Sequence, residues 1–279
     1  MRPSFAKQEA PLIVDVIRER NTRDVIAAIR NGQHDGAMGY DLHLSCLDDA
    51  YRTVDEMRAM ISSTAKPVLA LNYSQTYSYT SYTTSEEERI GLLLMAAEAG
   101  VSAVDLQAYS YDVDAKERFQ EEFATDEMPF AAARPKEIAL NPDSIQQQVA
   151  LIDRLHALGT EVLMSCHTSV PMNCAQVVSL ARVMEKRKPD IIKIVTPCEN
   201  DEQLLEAFRT MVELKKVITH ARIHFHCSGH HGKLTRIINP MLGAYLMFCT
   251  DRYTPSSNFE QLHLKTMVDA FRTMDWRMD

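Results

Sequence analysis

The sequence predicts an α/β protein of the (β/α)8 (TIM) barrel type, read as a single domain over residues 1–279. Two observations predict it. Short apolar runs rich in β-branched residues alternate with amphipathic stretches of helical period from end to end, and no shift in composition divides the chain. A third observation weighs against the main rival, an open doubly wound sheet. No glycine-rich turn follows the first run, so nothing supports the nucleotide site such a sheet builds there.

In order, the strand candidates are PLIVDVI (11–17), GAMGYDLHL (36–44), PVLALNY (67–73) and VSAVDLQ (101–107), then TEVLMSCH (160–167), DIIKIVT (190–196), ARIHFHC (221–227) and AYLMFC (244–249). Their continuous apolar character suits parallel strands covered on both faces. The crossover helices are expected over 22–31, 48–62, 85–99, 143–158, 174–187, 200–215, 233–241 and 258–274, where apolar residues recur at spacings of three and four. Two of these carry start signals: Ser85 with Glu88 at the third place after it, and Asp143-Ser144 ahead of IQQQVALI. Two segments break the rhythm. Residues 74–84 (SQTYSYTSYTT) form a tyrosine-rich loop after the third strand, and 108–142 is an insert after the fourth, with DAKERFQEEFA (114–124) helical. In a barrel both follow strand C-termini, the rim where active sites are built.

Composition narrows the function. A formal net charge of −8 argues against a general nucleic-acid or anionic-membrane binder, since both require a positive face, but leaves room for a small anionic substrate. The six cysteines (Cys46, Cys166, Cys174, Cys198, Cys227 and Cys249) are scattered without a CxxC pair, which reads as reduced thiols in a cytoplasmic protein. No apolar run approaches the roughly 18 residues of a membrane span. No cofactor is expected. Barrels of this kind often pair through exposed helices, so a homodimer is an open expectation.

Lys193 is the most informative position. It lies mid-run in DIIKIVT, between isoleucines, where a lysine serves best by pointing into a cavity. An amine so placed can attack a ketone; the plain alternative is a strand-end lysine that snorkels to water. His167 ends the preceding run, so it can meet Lys193 across one strand spacing of about 4.8 Å and act as acid and base, or merely cap the backbone. Arg236, after the seventh run, can grip a carboxylate in a bidentate way, or be a solvated helix arginine. In HFHCSGHH, His224 and His226 share one strand face. A metal site lacks an HExxH motif and a carboxylate partner, so none is assigned; His226 is expected to line the pocket.

With these residues in view, the chain resembles the type I 3-dehydroquinate dehydratases. MSCH (164–167), PDIIKIV (189–195) and GKLTRIINPMLGAYLMF (232–248) carry the resemblance, which extends thinly over nearly the whole chain. It implies a Schiff-base lysine at Lys193, a catalytic histidine at His167, a carboxylate-binding pair at Thr235-Arg236 and a glycine, Gly243, leading into the eighth strand. It also implies a lyase with a keto-acid substrate; a class I aldolase with the same lysine and a non-catalytic ligand-binding barrel are the rivals. There are departures too. Where the family has E-x-R on its second strand, this chain has Asp41 and His43; where it has T-x-R after the third, Tyr73 takes the arginine's place. The D-x-E of the fourth strand reads Asp105-Leu106-Gln107, so Gln107 is expected to hold His167 without stabilising an imidazolium, giving His167 a lower pKa. The closing loop S-A-P-G-Q appears as residues 254–258, with Thr254 and Asn258 expected to help Arg236 bind substrate.

Overall fold

The computed structural model describes residues 3–73, 85–112, 124–131, 137–254, 257–258 and 260–274. The tyrosine-rich segment 74–84, almost all of the expected helix 114–124, and Pro255-Ser256 of the closing loop lie outside these.

Eight strand–helix repeats follow one another: β1 (Leu12–Ile17), α1 (Thr22–His34), β2 (Gly39–His43), α2 (Val54–Ser62), β3 (Val68–Leu71), α3 (Glu86–Glu98), β4 (Ala103–Gln107), α4 (Pro142–Ala157), β5 (Glu161–His167), α5 (Cys174–Glu185), β6 (Ile191–Pro197), α6 (Asp201–Val217), β7 (Arg222–Ser228), α7 (Thr235–Met241), β8 (Leu246–Thr250) and α8 (Leu264–Thr273), with a two-residue β9 (Leu262–His263) before the last helix. The strand order is β7-β6-β5-β4-β3-β2-β1-β8-β9, and the described pairs are parallel. This is the α/β architecture expected of the alternating pattern. Among the described residues, no helix is long and apolar enough to cross a membrane.

Local chemistry fixes the helix starts. Ser85 and Glu88 close the reciprocal capping box that their spacing predicts. The fourth helix begins one residue earlier than its Asp143-Ser144 signal, because Asn141 Oδ1 accepts the Asp143 N–H at 2.9 Å and Pro142 takes the first helical position. The expected second helix is shortened from 48–62. Short 3-10 turns at Leu44–Cys46 and Asp49–Tyr51 precede it, and Thr53 caps it by accepting from Glu56 N. The last helix starts at Leu264 rather than near 258, since Leu262 pairs with Cys249 as β9.

Contacts divide the chain into two compact units, with β4 divided between them after Asp105. One unit holds Met1–Asp105, Leu155–Glu161 and Met247–Arg277. Within it, Arg89 is buried and bonds Glu86 (2.6 Å) and the Asn72 carbonyl (3.2 Å), fixing the main chain where β3 ends just before Tyr73.

The other unit holds Leu106–Arg154 and Val162–Leu246. Its core is organised by Arg187, which is 2 % exposed. That guanidinium donates to the Ala108 carbonyl (3.2 Å), Gln148 Oε1 (2.6 Å) and the Ala139 carbonyl (2.6 Å). Burial lowers its pKa to about 10, so it stays a cation, and the three acceptors offset its desolvation. The Ala139 N–H donates to the Ala108 carbonyl and the Ala108 N–H to the Ser165 carbonyl, at 2.9 and 2.7 Å. Residues 137–140 are thereby knit to the ends of β4 and β5.

Candidate active site

Register aligns the chemistry of this second unit. Parallel pairing sets Ser165, Lys193 and His224 side by side on β5, β6 and β7, and sets His167, Val195 and His226 side by side two residues further along. Strand side chains alternate faces, so residues two apart share one, and in-register neighbours share it too. Lys193, His224, His226 and His167 therefore form two successive rows on one face. Lys193 is 6 % exposed, and His224 and His226 are buried.

Arg236 comes to this group from α7. The side chain of Thr235 latches that helix to β7: its Oγ1 accepts the Cys227 N–H at 2.8 Å and donates to the Gly232 carbonyl at 2.6 Å. Asn239 adds a bond to the Phe225 carbonyl at 2.8 Å. Gly232 is required here, since a Cβ would lie 2.7 Å from the Cys227 carbonyl carbon.

Burial, then the positive charges of Lys193 and Arg236, push the imidazoles of His167 and His224 well below their ordinary pKa. His226 is lowered in the same way, by burial first and Arg236 next. All three rings are neutral at neutral pH. His224 Nε2 and His226 Nδ1 lie 2.8 Å apart, a hydrogen bond in which one ring donates and the other accepts. Among the described residues, no three His, Cys, Asp or Glu side chains are grouped as metal ligands.

The expected lowering of His167 is present, with burial as its largest cause. A carboxyl group does stand beside that residue, however, supplied by a position the sequence reading passed over. Glu137 Oε2 accepts the main-chain N–H of His167 at 3.1 Å and lies 3.8 Å from Nδ1, too far for a hydrogen bond to the ring. Burial raises the Glu137 carboxyl to about 8, against a small lowering by that N–H. Gln107 is buried at the end of β4, and its main-chain carbonyl accepts the Ser110 N–H at 2.9 Å.

The remaining candidates belong to the first unit. Asp41 and His43 are buried on β2, with His43 Nε2 3.5 Å from Asp41 Oδ2. The Tyr73 ring meets His43 edge-on, 6.2 Å between centroids. Thr254 is exposed and Asn258 half-buried, both in a turn: Thr254 N–H donates to Ser257 Oγ and Glu260 N–H to Asn258 Oδ1, each at 2.9 Å.

Residues 136–277 match a family model described as type I 3-dehydroquinase. Among solved structures, the chain is similar to 3-dehydroquinate dehydratase from Geobacillus kaustophilus HTA426, with a TM-score of 0.75 and 13% identity over 99% of this chain and 98% of that one. It is similar also to the type I 3-dehydroquinate dehydratase from Clostridium difficile with covalently modified comenic acid (0.74, 14%, covering 95% and 92%). The carboxyl transferase domain of Rhizobium etli pyruvate carboxylase matches at 0.63 and 12%, covering 98% of this chain and 45% of that one. At such identities these likenesses show the fold alone, and one fold hosts unrelated chemistries. No curated protein matches the sequence.

Proposed function

This chain belongs to the type I 3-dehydroquinase family, and from that membership we propose that it is a hydro-lyase working through a Schiff base on Lys193. The substrate is a cyclic polyol ketone bearing one carboxylate: 3-dehydroquinate, which would yield 3-dehydroshikimate, or a close relative. The observation that carries the reading is Lys193 itself. It is a buried mid-strand lysine with His224 in register beside it, and its charge is felt at three imidazoles.

The neutral amine of Lys193 adds to the ketone and expels water, leaving a cationic iminium that acidifies the adjacent carbon. His167 takes a proton from that carbon. A neutral imidazole is the form able to do so, and burial, reinforced by the two nearby cations, keeps it neutral. The same ring returns its proton to the departing β-hydroxyl as water leaves, and hydrolysis of the imine frees the conjugated enone. Glu137 fixes His167 through its main chain, and Gln107 supports the same strand ends. Arg236 anchors the carboxylate, held in place by the Thr235 latch. His226, across Val195 from His167, is the further pocket-lining residue of this reading. In sequence, Asp41, His43 and Tyr73 take the places of the family's ring-hydroxyl recognition groups, a set less cationic than its arginines, and Thr254 and Asn258 those of its closing loop.

Borohydride trapping with 3-dehydroquinate, read by intact and peptide mass spectrometry, tests the reading. A ligand-sized increase on the Lys193 peptide, absent in Lys193→Ala, is expected, together with an enone absorbing in the near ultraviolet. Two fragments in place of an enone would assign the lysine to aldol cleavage. No adduct with any ketone would leave a ligand-binding barrel.

A further inference from the structure

That mechanism gives the hydrogen-bonded pair His224–His226 no acid–base part, and its position raises a question of proton supply. Converting a lysine ammonium and a ketone into an iminium and water moves two protons from nitrogen to oxygen; imine hydrolysis moves two back. We propose that His224 and His226 form a proton relay for the making and breaking of the imine at Lys193. The proposal rests on the Schiff-base reading and adds two residues to that site.

The register places the pair beside Lys193. His224 sits in register with Lys193, in the row that holds the nitrogen. His226 sits one row further along, in register with Val195 and His167, the row nearer the strand ends. The 2.8 Å bond joins His224 Nε2 to His226 Nδ1, so His224 Nδ1 and His226 Nε2 are the two outer ends of the pair. Both rings are neutral, and neither must hold a charge for the pair to act, because a proton entering one end displaces a different proton from the other.

The balance closes as follows. The lysine ammonium first loses one proton to solvent. Its nitrogen then attacks the carbonyl carbon: a C–N bond forms and the C=O π pair moves to oxygen. The nitrogen, now cationic, gives a proton to His224 Nδ1. His224 passes its Nε2 proton to His226 Nδ1, and His226 gives its Nε2 proton to the alkoxide. The carbinolamine hydroxyl takes one proton from solvent and leaves as water while the nitrogen lone pair forms the C=N bond. One pass leaves both rings in their other tautomer. Hydrolysis of the product imine drives the proton the opposite way and restores them, so the pair is reset once per turnover.

His224→Gln and His226→Asn test this, since each amide nitrogen replaces the ring nitrogen engaged in the 2.8 Å bond without acid–base capacity. Rapid-quench borohydride trapping with 3-dehydroquinate measures the rate of imine formation. Substrate deuterated at the abstracted position reports whether C–H cleavage limits turnover. Imine formation in both variants should slow about a hundredfold or more, and the isotope effect on kcat should collapse toward unity as imine formation becomes limiting. A merely structural pair would lower melting temperature or raise KM and leave the isotope effect unchanged. Trapping at the wild-type rate in either folded variant overturns the relay while leaving the Schiff base standing. No adduct in the wild-type enzyme brings down both.

Discussion

Glu137 holds the main chain of His167 and not its ring: Oε2 accepts the N–H at 3.1 Å and lies 3.8 Å from Nδ1. The carboxyl reaches that place because Glu137 adopts a φ of 30°, in the left-handed region, while the Arg187 network pins the next residues to β4 and β5. With its pKa raised to about 8 by burial, the group is protonated at neutral pH. Above pH 8 it becomes an anion beside a ring that must carry positive charge after taking the substrate proton.

The first prediction follows from that pair. In the wild-type enzyme, kcat should show a limb near pH 8 as Glu137 ionises and stabilises the imidazolium. Glu137→Gln keeps an acceptor for the His167 N–H and cannot ionise, so the limb should vanish with little change in melting temperature. Glu137→Ala leaves the N–H unpaired and should cost about 1–3 kcal/mol of stability as well. A limb persisting in the glutamine variant would assign it to another group.

A second carboxyl makes stability depend on pH. Asp15 is 1 % exposed on β1, and burial, then the neighbouring Asp251 charge, raises its pKa to about 8. A folded value above the unfolded one means that the native state binds the proton more tightly. Its contribution is complete below about pH 4, the unfolded value, and is lost as pH rises through 8. Asp15→Asn keeps an acceptor for the Asp251 N–H, now bonded at 3.1 Å, and has no proton to lose. Its melting temperature should match wild type at pH 5 and exceed it by several degrees at pH 9. Parallel curves at both pH values would contradict the protonated aspartate.

These two carboxyls also mark the limits of what the sequence discloses. Continuous apolar runs placed β1 to β8 within a few residues, because parallel strands buried on both faces leave that pattern whatever surrounds them. Ser85 and Glu88 announced their cap because the box is local. Lys193 and His167 stood out as candidates through their positions in apolar strands together with the family resemblance, and the structure puts both on one sheet face. Glu137 was not, since its contact with His167 depends on one left-handed residue and a buried arginine 50 positions on, which no local period encodes. The spacing of His224 and His226 was visible as a shared strand face, but their bond and the neighbour Lys193 required the register.

The Thr235 latch gives a third expectation. Thr235→Val deletes both Oγ1 bonds and leaves the buried Cys227 N–H unsatisfied, at a cost of about 1–3 kcal/mol. Because the latch positions Arg236 and not the reacting atoms, KM for a carboxylate substrate should rise more than kcat falls. Thr235→Ser keeps the hydroxyl and should restore both. An unchanged KM in a folded valine variant would separate Arg236 from carboxylate binding.

The last expectation reverses a general rule. Gly32 lies inside α1, where replacing glycine by alanine ordinarily stabilises a helix by about 1 kcal/mol. Here a Cβ would stand 2.4 Å from Asp15 Oδ2 and 3.2 Å from the Tyr40 ring. Tyr40 is held by its hydroxyl bond to the Ile29 carbonyl at 2.9 Å, and Asp15 by the Asp251 N–H that its Oδ1 accepts at 3.1 Å, so both neighbours are anchored. Gly32→Ala should therefore destabilise, by about 1–3 kcal/mol, the usual cost of overpacking. The cause can be isolated by a double-mutant cycle. Asp15→Ala removes the obstructing carboxyl, and in that background the alanine at position 32 should be neutral or stabilising. Additive losses would show that the helix opposes the methyl group for some reason other than Asp15.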